Sequence, residues 1–358
     1  MSSKDGKGKV TIAVSGLNAT DNPGPGVPVI RALRLAMGES LEVVGLAYDV
    51  MDPGIYMDGI ADHVFMVPYP SQGDDILFER LSYIHSRVHL DAIVPTLDAE
   101  LFPYVRLVPK LEKLGIGTFL PTEEQLKLRS KVEFDKLAQR FDIAVPRSTP
   151  ITDLNELNRL VASGAYSYPL MVKGQFYDAY VARTQPEAAM YFNKIAAAWG
   201  LPVVVQEFLV GEEYDVVALG DGNGGLVGAV PMRKTVLTEK GKAWAGITVG
   251  DPKLKELTEK AVRALSWRGP LELEVMKTAR SGDYFLLEIN PRFPAWCYLA
   301  AGAGANLPHA CASLALGENV EPFDRYDVGV MFVRHSLDLV RPLYDLEALS
   351  TAGEVHRE

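Results

Sequence analysis

The sequence predicts a mixed chain, an α/β part followed by an α+β part, and three observations carry that expectation. Over the first third, short apolar runs alternate with amphipathic stretches, the pattern of a parallel sheet covered by helices. Beyond residue 200 the pattern changes to β-rich runs joined by short turns. The chain has 358 residues, 48 % of them hydrophobic, which is enough material for two or three cored domains.

In order, Val10–Val14 reads as a strand, Val27–Met37 as a helix, and Leu41–Tyr48 and Ala61–Val67 as strands. A helix at Ile76–Val88, a strand at Ala92–Pro95, a helix at Leu101–Leu114 and a closing strand at Gly115–Phe119 complete the first unit. The glycine-rich loop Ser15–Gly26 follows the first strand, at the sheet edge where doubly wound folds bind ligands. Its spacing is not GxGxxG, and Pro23 and Pro25 block the tight turn a dinucleotide cradle needs. Asp98 and Glu100 fall at the end of the Ala92–Pro95 strand, where they either complement a helix dipole or face a substrate. Thr122 and Gln125 form a capping box ahead of a helix. Helices at Lys131–Phe141, Asp153–Ser163 and Glu187–Trp199 are expected, with strands at Leu170–Lys173 and Val203–Glu207. Strands at Tyr214–Leu219 and Leu226–Met232, a basic loop Arg233–Lys242, a helix at Pro252–Ser266 and a hairpin of Leu271–Met276 with Tyr284–Asn290 follow. Val328–Arg334 and a polar tail end the chain.

Charge and composition exclude several functions. With 36 Lys and Arg against 46 Asp and Glu the net charge is −10, so no basic stripe for nucleic acid is expected. No apolar run reaches the roughly 18 to 20 residues of a membrane span, and the amino terminus lacks a signal-peptide core, so a cytoplasmic protein is expected. Cys297 and Cys311 stand alone and read as buried thiols.

The chemistry concentrates in the hairpin. Residues two apart on a strand share a face, so Glu272 and Glu274 point one way on one strand, and Glu288 and Asn290 do so on its partner. Three carboxylates and an amide on one face repel unless a cation lies between them, and hard oxygen donors suit Mg²⁺ with nucleotide phosphates. Arg292 would flank the same phosphates.

Glu288-Ile289-Asn290-Pro291-Arg292, preceded by Glu274, resembles the metal-binding signature of the ATP-grasp superfamily, especially its carbamoyl-phosphate synthetase and biotin carboxylase branch. The resemblance covers about residues 120–310. It implies an N-terminal Rossmann-like pre-ATP-grasp domain (1–119), a two-subdomain ATP-grasp fold (120–200 and 201–318) and a C-terminal extension (319–358). It implies ATP and Mg²⁺ (or Mn²⁺) as cofactors, with Glu274, Glu288 and Asn290 as metal ligands. Lys131 and Lys173 resemble the two ATP-binding lysines. Glu207, with the backbone of Phe208 and Leu209, would read adenine, and Glu213 would take the ribose hydroxyls. The segment Gly174–Tyr180, where relatives carry a glycine-rich flap, has one glycine, so phosphate coverage would fall to Arg233 and Lys234, with Lys240 and Lys242, unless that loop is merely solvated. Arg292, Arg233 and Lys234 are therefore the catalytic candidates.

The implied reaction activates a carboxylate as an acyl phosphate and passes it to an amine or thiol, releasing ADP and phosphate. The implied partners are a small-molecule carboxylate and amine, or a peptide, and a second copy of the chain, since relatives of this architecture are often dimers. Two alternatives stay open: a carboxylase or carbamoyl-phosphate-forming subunit acting through carboxyphosphate, and a nucleotide-binding protein without turnover. Phe293–Trp296 either shapes the acceptor pocket or belongs to the core.

Overall fold

The computed structural model describes residues 8–19, 22–128, 138, 141–174, 178–239 and 241–357. The expected helix at Lys131–Phe141, and with it Lys131, lies largely outside them, as do Lys240 and residues 175–177 of the flap segment.

Four parallel strands, β1 (Val10–Val14), β2 (Leu41–Ala47), β3 (His63–Met66) and β4 (Ala92–Val94), form the first sheet in the order β3-β2-β1-β4. Strand alternation feeds two cores. Ile12, Val14 and Val43 bury against Val29, Ile30 and Leu33 of the helix Gly26–Met37. Ala13, Val44 and Phe65 bury on the other face, against Leu77 and Leu81 of the helix Asp74–Val88 and Tyr104 and Leu107 of the helix Leu101–Lys113. Residues 115–119, expected as a strand, contribute only a bridge between Gly117 and Ala92. Gly117 sits so close to the Ala315 carbonyl that a Cβ there would lie 1.9 Å from its oxygen, which leaves no room for a side chain.

The carboxyl edge of this sheet is organised by Glu100, which is fully buried. It accepts hydrogen bonds from the Ser15 and Tyr48 hydroxyls, from Thr96 N at 2.7 Å and from Leu97 N at 2.9 Å. Of the two readings of Asp98 and Glu100, Glu100 thus ties the loops after β1 and β4 together from the inside.

The second sheet, antiparallel, contains β5 (Ser148–Ile151), β6 (Leu170–Lys173), β7 (Ala179–Ala182) and β8 (Val203–Glu207) in the order β5-β8-β6-β7. Leu170, Val172, Val203 and Val205 bury against Leu157 of the helix Leu154–Ala162 and Phe192 and Ile195 of the helix Gln185–Trp199. The expected capping box is present: Thr122 N donates to Gln125 Oε1 at 2.8 Å and Gln125 N to Thr122 Oγ1 at 3.2 Å.

The third sheet is also antiparallel. It holds β9 (Gly211–Asp221), β10 (Leu226–Leu237), β11 (Ala243–Thr248), β12 (Arg268–Thr278), β13 (Tyr284–Asn290) and β14 (Met331–Val333) in the order β13-β12-β9-β10-β11-β14. One face packs on the helix Pro252–Leu265 through Leu271, Leu273 and Val275. β10 continues to Leu237, so Arg233 and Lys234 belong to a strand rather than to the loop expected after Met232; pairing with β11 supplies the missing partner.

Residues 319–358, set apart above as an extension, are threaded through both outer sheets. They give β14 to the third sheet and β15 (Glu354–His356) to the first, antiparallel to β3. At that junction His63 Nε2 lies 2.7 Å from Glu42 Oε1 and His63 Nδ1 lies 2.9 Å from His356 Nδ1.

Burial pushes the Glu100 carboxyl above its ordinary value of 4.5, against the pull of its four hydrogen bonds. A carboxyl raised on folding contributes stability that is full below the unfolded value and lost as pH rises through the folded one. The unfolding free energy of the wild type relative to Glu100→Gln is expected to grow as pH falls toward 4.5. Urea titrations of both proteins across the acid range check this; a difference that does not move with pH contradicts it.

Candidate functional site

The hairpin β12–β13 sets Glu272 opposite Asn290 and Glu274 opposite Glu288. On the other side of β12, β9 sets Asp215 opposite Glu274. A row of acids, Glu288, Glu274 and Asp215, therefore crosses three strands on one face, while Leu271, Leu273 and Val275 bury on the other. The spacing expectation for Glu272, Glu274, Glu288 and Asn290 matches this register.

Each polar group on the face has a distinct task. Asn290 Nδ2 donates to Glu272 Oε2 at 3.1 Å and to Glu274 Oε1 at 3.0 Å. With both its hydrogens committed, the amide presents its oxygen as the remaining donor toward a cation. Glu272 is saturated otherwise: Arg292 Nη1 donates to Oε2 at 2.9 Å and Trp296 Nε1 to Oε1 at 2.8 Å. Glu272 therefore holds its neighbours in place, and Trp296, 5 % exposed, is a positioning residue rather than a pocket wall. Arg292 Nε also donates to Asp98 Oδ2 at 2.8 Å, so one guanidinium joins the first domain to the third sheet. Asp98, of the two acids left open above, is the one that faces the site.

Lys234 Nζ lies 3.1 Å from both Glu213 Oε2 and Asp215 Oδ1. Its side chain is 6 % exposed, and Asp215, Glu274 and Glu213 hold its charge in place against burial. Asp215 shows the reverse balance: burial, with Glu272 and Glu274 nearby, raises its carboxyl well above the ordinary range although Lys234 opposes this. Glu274 is also buried, which alone would raise it, yet Lys234, Lys242, the Asn290 hydrogen bond and Arg292 bring it well below the usual carboxylate range. A carboxylate kept ionised inside a sheet face is suited to a divalent cation.

The sequence candidates are not all brought together. Arg233 and Lys234 are strand neighbours and point to opposite faces. Arg233 turns away from the acids to Glu212, at 3.5 Å, and both ends of that pair are exposed. The paired phosphate clamp expected from these two residues is thus divided, with Lys234 alone on the acidic face. Glu213, expected at the ribose, pairs with Lys234. Lys173 is buried at the end of β6. Glu207 ends β8 and its Oε1 accepts the Arg147 amide at 2.7 Å. Phe208 and Leu209, half-buried, link β8 to β9 and so connect the second and third sheets.

Two residues were missed by sequence reasoning. Asp215 leaves a signal, a lone acid opening the apolar run Val216–Leu219. Arg334, directly after β14, leaves little more than a basic residue after an apolar run. Its guanidinium contacts the Asn22 side-chain oxygen in the glycine-rich loop of the first domain. Burial lowers its pKa to about 10 in spite of Glu272 and Cys297. A half-buried guanidinium held by a neutral amide keeps its charge for an anion.

The donor set fits Mg²⁺. Among the described residues no three His, Cys, Asp or Glu side chains form a self-sufficient metal cage. Mg²⁺ needs none, since one or two carboxylates with phosphates and water complete its shell. Glu274, Glu288 and the Asn290 oxygen are the residues placed to hold it.

Comparison with known proteins agrees with this geometry. A family model described as ATP-grasp in the biosynthetic pathway with Ter operon matches residues 201–334. The carbamoyl phosphate synthase large chain of Clostridium perfringens (strain SM101 / Type A) is 22 % identical over 260 residues, covering 68 % of this chain and 24 % of that protein. The chain thus spans about a quarter of the length of the curated relatives it matches. Among solved structures, the biotin carboxylase domain dimer of Hydrogenobacter thermophilus 2-oxoglutarate carboxylase, with MgADP, ADP and bicarbonate, superposes with a TM-score of 0.67 at 16 % identity, over 90 % of this chain and 73 % of that one. The L-amino acid ligase of Bacillus licheniformis gives 0.64 at 17 %, over 87 % and 75 %. No helix among the described residues is long and apolar enough to cross a membrane.

Arg292→Met removes the guanidinium between Asp98 and Glu272 and leaves Glu272 buried without its cation. A loss of about 3–5 kcal/mol of unfolding free energy is expected by chemical denaturation. A change under about 0.5 kcal/mol, typical of an uninvolved surface site, contradicts the clamp.

Proposed function

We propose that the chain, which matches an ATP-grasp family model over residues 201–334, is an ATP-grasp enzyme: an ATP- and Mg²⁺-dependent ligase that activates a carboxylate as an acyl phosphate and transfers the acyl group to an amine. The observation that carries this reading is the acid face of β12 and β13, where Glu274, Glu288 and Asn290 are held in register beside the charges of Arg292 and Lys234. Mg²⁺ at these residues would neutralise ATP phosphates and stabilise the charge that develops during phosphoryl transfer.

The chain's own residues then have separable tasks. Glu274 stays deprotonated because Lys234 and Arg292 offset its burial. Glu272 and Asp98 fix the Arg292 guanidinium, which keeps its charge beside the acids and would stabilise the acyl phosphate. Arg334, reaching from β14 to the first-domain loop, would bind the substrate carboxylate. Lys173, Glu207, Phe208 and Leu209, at the join of the second and third sheets, would hold the nucleotide, with Lys131 as a further candidate. The acceptor class is supported by likeness to an L-amino acid ligase and the phosphate chemistry by likeness to a carbamoyl phosphate synthase large chain; a bicarbonate-dependent outcome is the competing reading.

ADP release measured against pools of carboxylates, with and without amines, tests the proposal. Release that requires both substrates supports ligation. Dependence on bicarbonate alone assigns the reaction to carboxyphosphate formation, and ATP binding without ADP under any condition contradicts both. Glu288→Gln is expected to abolish phosphate release; unchanged turnover would refute the metal assignment. Arg334→Met should raise the KM for the carboxylate about 10- to 100-fold with a smaller change in KM for ATP, as expected when a charge-assisted contact to one substrate is lost. An equal rise for both substrates contradicts the role given to Arg334.

A further inference from the structure

Four of the chain's six histidines, His63, His85, His89 and His356, line one cavity of about 780 Å³ at the outer edge of the first sheet, together with Glu42 and Arg87. Its walls are the β3–β15 ladder and the last turn of the helix Asp74–Val88, the negative end of that helix's dipole. None of these residues belongs to the acid face of the third sheet.

The strand register brings two of the rings into direct contact. Arg357 N donates to Asp62 O and Met66 N to Gly353 O, each at 2.8 Å, so Asp62 with Arg357 and Met66 with Gly353 are pairs of the hydrogen-bonded kind. His63 and His356, next along the ladder, form a non-hydrogen-bonded pair, in which Cα atoms lie about 4.5 Å apart and the side chains leave one face side by side. Their Nδ1 atoms are 2.9 Å apart. The far nitrogen of each ring turns to a carboxylate: His63 Nε2 lies 2.7 Å from Glu42 Oε1, and His356 Nε2 lies 3.7 Å from Glu354 Oε1. A neutral imidazole that donates from Nε2 presents a bare lone pair at Nδ1. Two such lone pairs facing one another are unfavourable unless one ring takes up a second proton or both bind one cation.

We propose that His63 and His356 chelate, through their Nδ1 atoms, one divalent transition-metal ion of square-planar or octahedral preference, Cu²⁺ or Ni²⁺. A carboxylate behind each ring is the usual outer-shell arrangement of a metal-binding histidine, where it fixes the tautomer and raises the basicity of the ligating nitrogen. The spacing of the pair selects the geometry. With metal–nitrogen bonds of about 2.0–2.1 Å, nitrogens 2.9 Å apart subtend about 90° at the ion, whereas the tetrahedral angle of Zn²⁺ needs about 3.3 Å. Two imidazoles make a chelate and not a closed cage, in keeping with the lack of any set of three His, Cys, Asp or Glu ligands among the described residues, and water from the cavity would complete the shell. His85 and His89 stand on another wall, and His85 is hydrogen-bonded to the Leu90 backbone. The ion would fasten the last strand of the chain to the first domain across 293 residues, independently of the reaction proposed above.

Equilibrium dialysis of the full chain against NiCl₂, in excess Mg²⁺ to occupy the oxygen donors of the acid face, is expected to find one Ni²⁺ per chain. His63→Gln and His356→Gln should each weaken binding at least about 100-fold, and Glu42→Gln, which keeps both ligands, about 10-fold. His89→Gln should bind as the wild type does, and Zn²⁺ at equal concentration should displace less than half of the Ni²⁺. Because the unfolded chain does not hold the two rings together, Ni²⁺ should raise the unfolding midpoint of the wild type and leave that of His356→Gln unmoved. Electron paramagnetic resonance of bound Cu²⁺ should show two equatorial nitrogens, a signature that a merely structural histidine pair does not produce. A wild type that binds no Ni²⁺, binding that survives in a folded His356→Gln protein or is lost in His89→Gln, full displacement by equal Zn²⁺, or fewer than two nitrogens on Cu²⁺ each overturns the proposal.

Discussion

Carboxylates of like charge share one face of the third sheet, and the surrounding structure is arranged to keep them there. Glu272, Glu274, Glu288 and Asp215 stand in cross-strand register within three adjacent strands, where burial strengthens their repulsion. Among the described residues, Lys234 and Arg292 offset it. Lys234 is fixed between Asp215 and Glu213, and Arg292 is fixed between Glu272 and Asp98. Because Asp98 belongs to the first domain, the charge balance of the site also docks that domain against the third sheet. Glu100, two residues on, anchors the same loop from within by fastening it to Ser15 and Tyr48.

The side chains of this face also order one another. Glu272 spends both oxygens on Arg292, Asn290 and Trp296, and Asn290 spends both amide hydrogens on Glu272 and Glu274. The Asn290 carbonyl oxygen and the Glu274 carboxylate share this face with Glu288. Such a surface attracts a hard divalent cation and, through it, phosphates. Arg334 contributes the opposite charge from the far edge of the same sheet, held by an amide of the first-domain loop. The glycine-rich loop after β1, whose spacing and prolines argue against a dinucleotide cradle, is thus tied to the site through Asn22 and an arginine.

Much of this was legible locally. Two-residue alternation is a property of any strand, so the shared faces of Glu272 with Glu274 and of Glu288 with Asn290 followed from the hairpin alone. The capping box at Thr122 was equally local. What depended on distant partners was not legible. Arg292 and Asp98 are 194 residues apart, and nothing in either segment names the other. The separation of Arg233 from Lys234 required knowing that β11 extends β10 past Met232, which turns a cationic loop into a strand with two faces. The tail resisted placement because β14 and β15 are three residues each, too short for any periodicity, and each is a strand only by virtue of the sheet it joins.

The central claim is that this acid face binds metal and nucleotide together. Electron paramagnetic resonance of Mn²⁺, titrated in the presence and absence of a non-hydrolysable ATP analogue, tests it most directly. The account predicts that protein and nucleotide together immobilise Mn²⁺ more tightly than either does alone, and that Glu274→Gln removes the gain. Nucleotide binding of equal strength in Mn²⁺ and in excess chelator, with no Mn²⁺ immobilised beyond what free nucleotide holds, would contradict it.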